Sequence, residues 1–408
     1  MKILIIGAGP AGVTAAETVR TFNHQAEMTM LSDEPYQPYS PPAMADHFIQ
    51  GTDLHLWRPA DWAEQTGVGY RPGVKVESID PEGHQIRLAD GELINYDRLL
   101  IASGARLYAP VEGADLPGIY NFKSLSAAEN LVSKVHSGNA RTALIVGAGF
   151  IGMEIALLLQ ELGVKVTQVE MLDQVMASML DKDTAAIALE LMRLRGVEVR
   201  LNTKAAAFIG NGKAEAVRLE SSEVLKADVL IAATGVKPNV ELLHDSGISS
   251  KRGIRVDEYL QTNVPDVFAA GDCIESPYRL TGEMYVHAIF PNAVEQGRVA
   301  GLNMAGYPVV YEGAERMNSL KHLGLPIMAA GEKQGEQILQ DHQGNQLRTI
   351  YLRDSRVVGF QLAGDIKNAG IYHALMMQKY DVSGLESQLL DPNFGEGVLT
   401  WKAIGAYG

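Results

Sequence analysis

The stretch Lys2-Ile3-Leu4-Ile5-Ile6-Gly7-Ala8-Gly9-Pro10-Ala11-Gly12 sets a short apolar run against a closely spaced glycine triplet. It recurs in outline 140 residues later as Thr142-Ala143-Leu144-Ile145-Val146-Gly147-Ala148-Gly149-Phe150-Ile151-Gly152. That spacing is far too long for a solenoid repeat and points to two domains of related build. An apolar run without polar alternation fits a strand buried on both faces of a parallel sheet. After the first triplet the pattern predicts a helix over 11–22 and a strand over 27–31; after the second, a helix over 153–162, Gly163 as its C-cap and a strand over 164–169. Both copies therefore read strand, glycine turn, helix, strand, which is the context the triplet needs before it carries meaning.

The chemistry of the triplet is physical. Gly7 and Gly147 allow a tight turn, Gly9 and Gly149 let backbone come close to a diphosphate, and Gly12 and Gly152 let helix pack on strand. The helices that start at Pro10-Ala11 and Phe150-Ile151 then offer, from Ala11 and from Phe150 onward, unpaired N–H groups and a partial positive charge. An acid about 20 residues on is expected to take a ribose diol. Asp33 stands 21 residues past Gly12 and Glu170 stands 18 past Gly152, with Glu34 the alternative to Asp33. A solvated strand end is the bland alternative for either acid. Glu170 would repel a 2′-phosphate, and Met171-Leu172-Asp173-Gln174 supplies no arginine to accept one, so NAD is favoured over NADP. Two dinucleotide sites in one chain imply a flavin paired with a nicotinamide.

Length and composition bound the rest. At roughly 150 residues per domain, 408 residues predict two to three domains. The chain is 46% hydrophobic and 21% charged, which excludes a disordered or fibrous protein. Thirty-five basic against 49 acidic residues give a net charge of −14, a surface that repels phosphate backbones and anionic lipid, so neither nucleic acid nor membrane is an expected partner. The single cysteine, Cys273, cannot close an intrachain disulfide or form a dithiol redox centre, and its bland reading is a small core residue. The N-terminal apolar run is four residues long before Gly7, too short for a signal peptide, and the most apolar stretch, 143–159, is interrupted by three glycines and Glu154. A cytoplasmic setting is the expectation. The ten histidines show no metal-ligand spacing, and no metal site is expected. Of the tryptophans, Trp57 and Trp62 read as packing in a helical segment, and Trp401 as core or as a residue near a flavin.

Two further strands end in similar tripeptides, Ala102-Ser103-Gly104 and Ala233-Thr234-Gly235, and Pro110, Pro117 and Pro238-Asn239 mark crossings between domains. The expected division is a discontinuous first domain over 1–110 and 238–315, a second over 111–237 and a small α+β block over 316–408. In that block 349–352 and 357–362 flank Asp354-Ser355 as a hairpin, and a helix is expected over 369–380.

The segment Val267-Phe268-Ala269-Ala270-Gly271-Asp272-Cys273, a buried strand ending in glycine and acid, completes a pattern that resembles the FAD-dependent pyridine nucleotide-disulfide oxidoreductase superfamily. The chain is similar to its NADH:rubredoxin and ferredoxin reductases and to the flavoprotein subunits of nitrite reductase, phenylglyoxylate dehydrogenase and tungsten aldehyde oxidoreductase. Gly364-Asp365-Ile366 through Gly370-Ile371-Tyr372 extends the likeness into the last block. The resemblance implies an α/β fold of two Rossmann-like domains, FAD on the first triplet with Gly271-Asp272 at its ribityl and phosphate region, and NAD(H) on the second. It also implies Glu154 near the redox rings, a helix starting near Asn292-Ala293 aimed at the flavin, and Tyr39-Ser40-Pro41-Pro42 as the loop over it.

That loop departs from its relatives. Ser40 and Ala45 stand where ferredoxin-reductase-like members have arginine and lysine, and Pro42 stands where thiol-using members have their redox cysteine. Electrons are therefore expected to leave through an exogenous iron-sulfur or rubredoxin-type protein or subunit, in either direction, with homo- or hetero-oligomers compatible. An NADH oxidase using oxygen directly and a non-catalytic flavoprotein module are the competing readings.

Overall fold

The computed structural model describes residues 1–54 and 58–395, so Trp57 and Trp401 lie outside the described residues. The chain packs as two compact units. Met1–Ala109, Tyr120–Asn139 and Gly235–Glu315 form one; Pro110–Ile119, Ala140–Thr234 and the chain from Arg316 form the other.

In the first unit the strand Lys2–Ile6 is central. It pairs in parallel with Glu27–Leu31 on one side and Arg98–Ile101 on the other. Val68–Arg71 and Val267–Ala269 extend those flanks to a five-stranded parallel sheet. Ile3, Leu4 and Ile5 are almost wholly buried, as a strand with helices on both faces requires. The helix after the first triplet runs Pro10–Phe22, with Pro10 in the first turn, where its missing N–H costs nothing.

The second unit repeats this order: Thr142–Val146 lies between Lys165–Val169, which carries Glu198–Arg200 beyond it, and Val229–Ala232, all in parallel. The helix over 153–162 expected here begins a turn earlier, as Phe150–Glu161, because Gly149 ends the turn and the whole apolar run behind it can coil against the sheet. Residues 316–395 pack in this unit as a five-stranded antiparallel sheet. Its hairpin closes at Asp354 and Ser355, whose φ values of +50° and +54° are those of a type I′ turn between Gln346–Arg353 and Arg356–Ala363. The last long helix is Ala369–Met377, shorter than expected because Lys379 turns into the left-handed region at φ +51°. No helix among the described residues is long and apolar enough to cross a membrane.

One helix pair fixes the geometry of the first unit. Pro10–Phe22 and Phe290–Met304 run in the same direction with backbones in near contact: a methyl on Gly297 would sit 2.3 Å from the Ala11 carbonyl oxygen, and one on Gly301 2.8 Å from that of Ala15. Trp62, buried at the start of the short helix Trp62–Thr66, adds an indole N–H to Glu17 of the first of these helices at 2.6 Å.

Gly297→Ala is expected to destabilise the protein. Helix propensity alone favours alanine by about 1 kcal/mol, but forcing a methyl into a packed contact costs typically about 1–3 kcal/mol, and here the obstacle is backbone. The thermal midpoint should fall, whereas Gly370→Ala, whose methyl meets nothing within 4 Å, should hold or raise it. Equal rises in both variants would mean that the two helices do not meet at Gly297.

Candidate functional site

Each glycine turn is built by the same three constraints. Gly7 has φ +109° and Gly147 φ +106°, a region that side chains avoid, and a methyl there would strike Ala102 or Ala233 oxygen at 2.1 and 2.5 Å. A methyl on Gly12 would meet the Gly7 oxygen at 2.0 Å, and one on Gly152 the Gly147 oxygen at 2.5 Å. Between them Gly9 and Gly149 are different: a methyl on either meets nothing within 4 Å. They are the N-cap residues of Pro10–Phe22 and Phe150–Glu161, no side chain caps either helix, and neither first turn holds an acid. Each turn thus leaves open space in front of uncapped helix N–H groups and a positive dipole end, the arrangement that accepts a diphosphate. The residues present fit a dinucleotide at both places.

The acids differ between the two sites. Glu170 follows Lys165–Val169 directly and folds back onto its glycine turn, accepting from the Ala148 N–H at 2.8 Å and the Leu172 N–H at 3.0 Å. In the first unit both oxygens of Glu34 are taken: one accepts from the Ser126 N–H and hydroxyl at 2.8 and 2.9 Å, the other from the Tyr39 hydroxyl at 2.6 Å. Burial, then the charge of Glu34, raise the Tyr39 pKa, so this phenol remains a donor. The Asp33 carboxyl takes backbone N–H bonds from its own residue and from Glu34. Desolvation by the surrounding chain, then the charge of Glu34, raise its carboxyl above the ordinary value.

The ladders expose a residue that the offset of 21 passes over. Gly7 N–H bonds Leu31 oxygen as Gly147 N–H bonds Val169 oxygen, and Ser32 N–H bonds Arg71 oxygen as Glu170 N–H bonds Arg200 oxygen. Ser32, not Asp33, stands in the place of Glu170; its hydroxyl accepts from the Glu34 N–H at 3.2 Å.

Other expected residues of the first unit converge on the helix pair. Gly271, at φ +86°, is so placed that a methyl would touch the Ala11 side chain at 3.1 Å and that of Ala293 at 3.9 Å. Its N–H is held by Gln296 Oε1 at 2.7 Å. Asp272 pairs with Lys123 Nζ at 2.5 Å, both largely buried. Lys123 is a cation that no sequence motif marks. The helix expected to start near Asn292-Ala293 starts at Phe290, because the Asn292 side chain is spent on structure: it donates to the His287 and Glu315 oxygens and accepts from the Glu315 N–H.

Ala102 N–H continues the sheet to the Ile6 oxygen; Ser103 donates its hydroxyl to the Asn239 oxygen at 2.7 Å, and Gly104 accepts from the Asn239 N–H at 3.0 Å. Ser40 precedes the 3-10 turn Pro41–Ala43, in which Pro42 is exposed. Cys273 is fully buried, and that burial pushes its thiol up to about 11, so it stays protonated at neutral pH.

In the second unit Glu154 lies on Phe150–Glu161, half-buried, and Phe150 and Ile151 form the first turn. Gly235 falls in the first unit, on the strand Gly235–Pro238 that pairs antiparallel with Ala105–Tyr108. Sequence reading missed Gln168. Fully buried, it donates to the Gly147 oxygen at 2.8 Å and so locks the turn from beneath.

Comparison with known proteins adds to this geometry. The family profile described as pyridine nucleotide-disulphide oxidoreductase matches residues 1–297. The chain is 31% identical over 394 residues to an NADH oxidase of Methanocaldococcus jannaschii, covering 89% of this chain and 88% of that one. It is 28% identical to subunit epsilon of the NADH-dependent phenylglyoxylate dehydrogenase of Aromatoleum evansii, covering 95% of this chain and 94% of that one. The crystal structure of NADH:rubredoxin oxidoreductase from Clostridium acetobutylicum shares 26% identity and a TM-score of 0.74, over 94% of this chain and 97% of that one.

Two substitutions separate folding from binding at the second turn. Gly149→Ala should leave the melting temperature of the protein nearly unchanged yet weaken NADH binding at least about tenfold, because the methyl occupies the space of the diphosphate. Glu170→Arg should weaken NADH use and improve NADPH use. Unchanged preference between the two cofactors would place the ribose contact elsewhere.

Proposed function

The chain belongs to the pyridine nucleotide-disulphide oxidoreductase family, and from that premise we propose that it passes electrons between NAD(H) and a one-electron iron-sulfur or rubredoxin-type protein, as the flavoprotein subunit of a larger oxidoreductase. It is an FAD-containing, NAD(H)-dependent oxidoreductase. The observation that carries the reading is the pair of open glycine turns, one in each compact unit, each facing uncapped helix N–H groups.

In this reading FAD is held by Gly7, Gly9, Pro10, Ala11 and Gly12, with Asp33 at the ribose and Gly271-Asp272 beside them. NAD(H) is held by Gly147, Gly149, Phe150, Ile151 and Gly152, with Glu170 at the ribose. When bound, FAD supplies a two-electron centre that exchanges a hydride with NAD(H) and gives up or takes electrons singly. The chain's own residues bind, orient and neutralise. The two helix starts meet diphosphate charge, and Lys123 neutralises Asp272, the residue after Gly271. The start of Phe290–Met304, with no acid in its first turn, offers positive potential to a ring that gains negative charge.

Protein thiols take no part in this scheme. The only cysteine is buried and protonated, and Pro42 stands where thiol-using relatives carry sulfur. This supports an external acceptor, as do the names of the phenylglyoxylate dehydrogenase subunit and the rubredoxin oxidoreductase. A net charge of −14 suits a partner with a basic docking face. The M. jannaschii relative supports a second reading, direct use of oxygen as an NADH oxidase.

Anaerobic NADH should bleach the flavin absorbance within seconds, and steady turnover should then require an added one-electron carrier. Copurification from the native source should bring down an iron-sulfur subunit. Rapid aerobic NADH consumption with no carrier would favour the oxidase reading, and a protein that stays colourless after incubation with FAD would overturn both.

A further inference from the structure

Between Glu170 and the helix Lys182–Leu194 the chain makes a connection over 171–181 that touches the second glycine turn at one end and the C-terminal sheet at the other. At the near end Met176, a non-glycine residue at φ +49°, donates its N–H to the Ala148 oxygen at 2.8 Å. The N–H of the same Ala148 is held by Glu170. Ala148 is thus gripped from both sides, by Met176 of this connection and by Glu170 just before it.

At the far end the grip comes from the sheet. Tyr351 donates its hydroxyl to Asp181 Oδ2 at 2.5 Å, and the other oxygen of Asp181 accepts from the Thr184 N–H as the helix N-cap. Gln361 uses both ends of its amide: its oxygen accepts from the Asp181 N–H at 3.0 Å and its nitrogen donates to the Met179 oxygen at 3.3 Å. Lys333 donates to the Ala177 oxygen. Tyr351 is 2% exposed and Gln361 1%. Side chains of this polarity are normally buried only when their hydrogen bonds are made, and here the partners are the connection that leads back to Ala148. Burial and the nearby Asp181 keep the phenol a donor.

We propose that Tyr351 and Gln361 are positioning residues for the nicotinamide nucleotide. By pinning 177–181 they hold Met176 on Ala148, and so hold the glycine turn and Glu170 in the geometry that receives the diphosphate and ribose before the ligand arrives. Preorganisation of this kind raises affinity by sparing the cost of ordering the loop on binding. The C-terminal sheet is in this respect part of the nucleotide site, although none of its residues needs to touch the nucleotide. The inference rests on the reading that the second glycine turn takes NAD(H).

The test uses the FAD-loaded protein and anaerobic stopped-flow bleaching against NADH concentration, which separates the apparent Kd for NADH from the limiting rate. Tyr351→Phe and Gln361→Leu should each raise that Kd about fivefold or more, with the limiting rate and FAD content within about twofold of wild type. Tyr372→Phe is the control: it deletes a hydroxyl in the same block that donates to the Leu389 oxygen at 2.5 Å, away from the connection. Its NADH Kd should stay at the wild-type value. An unchanged Kd in Tyr351→Phe overturns the proposal, even where Gln361→Leu fails to fold. So does an equal rise in Tyr372→Phe, which would mark general loosening. Glu170→Arg run in parallel tells the two readings apart. If it changes cofactor preference while Tyr351→Phe does nothing, only the positioning role has failed; if it changes nothing, the assignment of the turn itself has failed.

Discussion

The structure depends on a backbone-to-backbone approach that no side chain can enter. At Gly7 against Ala102, and again at Gly147 against Ala233, the turn after the central strand of each unit presses on the end of the strand paired beside it. The approach brings the carbonyl of one strand end to the space a Cβ would need, and the helix that follows is then aimed with its uncapped end at the open side of the turn. What fits either place to a dinucleotide follows from that contact: the free N–H groups and the open space at Gly9 and Gly149. The residues that do the chemistry of recognition are few, and most of their contribution is the position of backbone.

Much of this was legible in the sequence because it rests on local rules. A run such as Ile3 to Ile6 with no polar alternation can only be a doubly covered strand, and glycines at fixed offsets have one good explanation when a strand precedes and a helix follows. The hairpin at Asp354-Ser355 and the helix from Ala369 were legible for similar reasons. Residues whose role depends on pairing register were not legible. An offset counted from Gly12 cannot reveal that the first unit carries extra residues before its second strand ends, so that Ser32 matches Glu170 and Asp33 lies one step beyond. The contacts of Glu34 needed the positions of Tyr39 and Ser126, the latter 92 residues away from Glu34 in the chain. Gln168 was invisible because one polar residue in an apolar strand gives no pattern, and Lys123 because its partner lies 149 residues on.

The two sites are not copies in how they are held. The first is clamped by a second helix, Phe290–Met304, through Gly297 and Gly301, and by Gly271 under the helix starts. The second lacks such a partner helix among these contacts. It uses a buried amide, Gln168, beneath the turn and a carboxylate, Glu170, above it. Close backbone packing suits a group that is bound once and kept, because it leaves little to rearrange. Hydrogen-bonded supports suit a ligand that must come and go, since they can be broken and remade at small net cost.

The first unit is also discontinuous along the chain, and that shapes how it is made. Its central strand and first helix are made early, but the edge strand Val267–Ala269 and the helix that carries Gly297 are translated only after the whole of 140–234. Domains fold as units during synthesis. When residues 140–234 have been made, the turn at Gly7 still lacks its covering helix, and the unit of Gly147 still lacks the sheet of residues 316–395. Each glycine turn thus waits for a late segment of the chain before its unit is whole, the first for the helix of Gly297 and the second for the sheet that follows it.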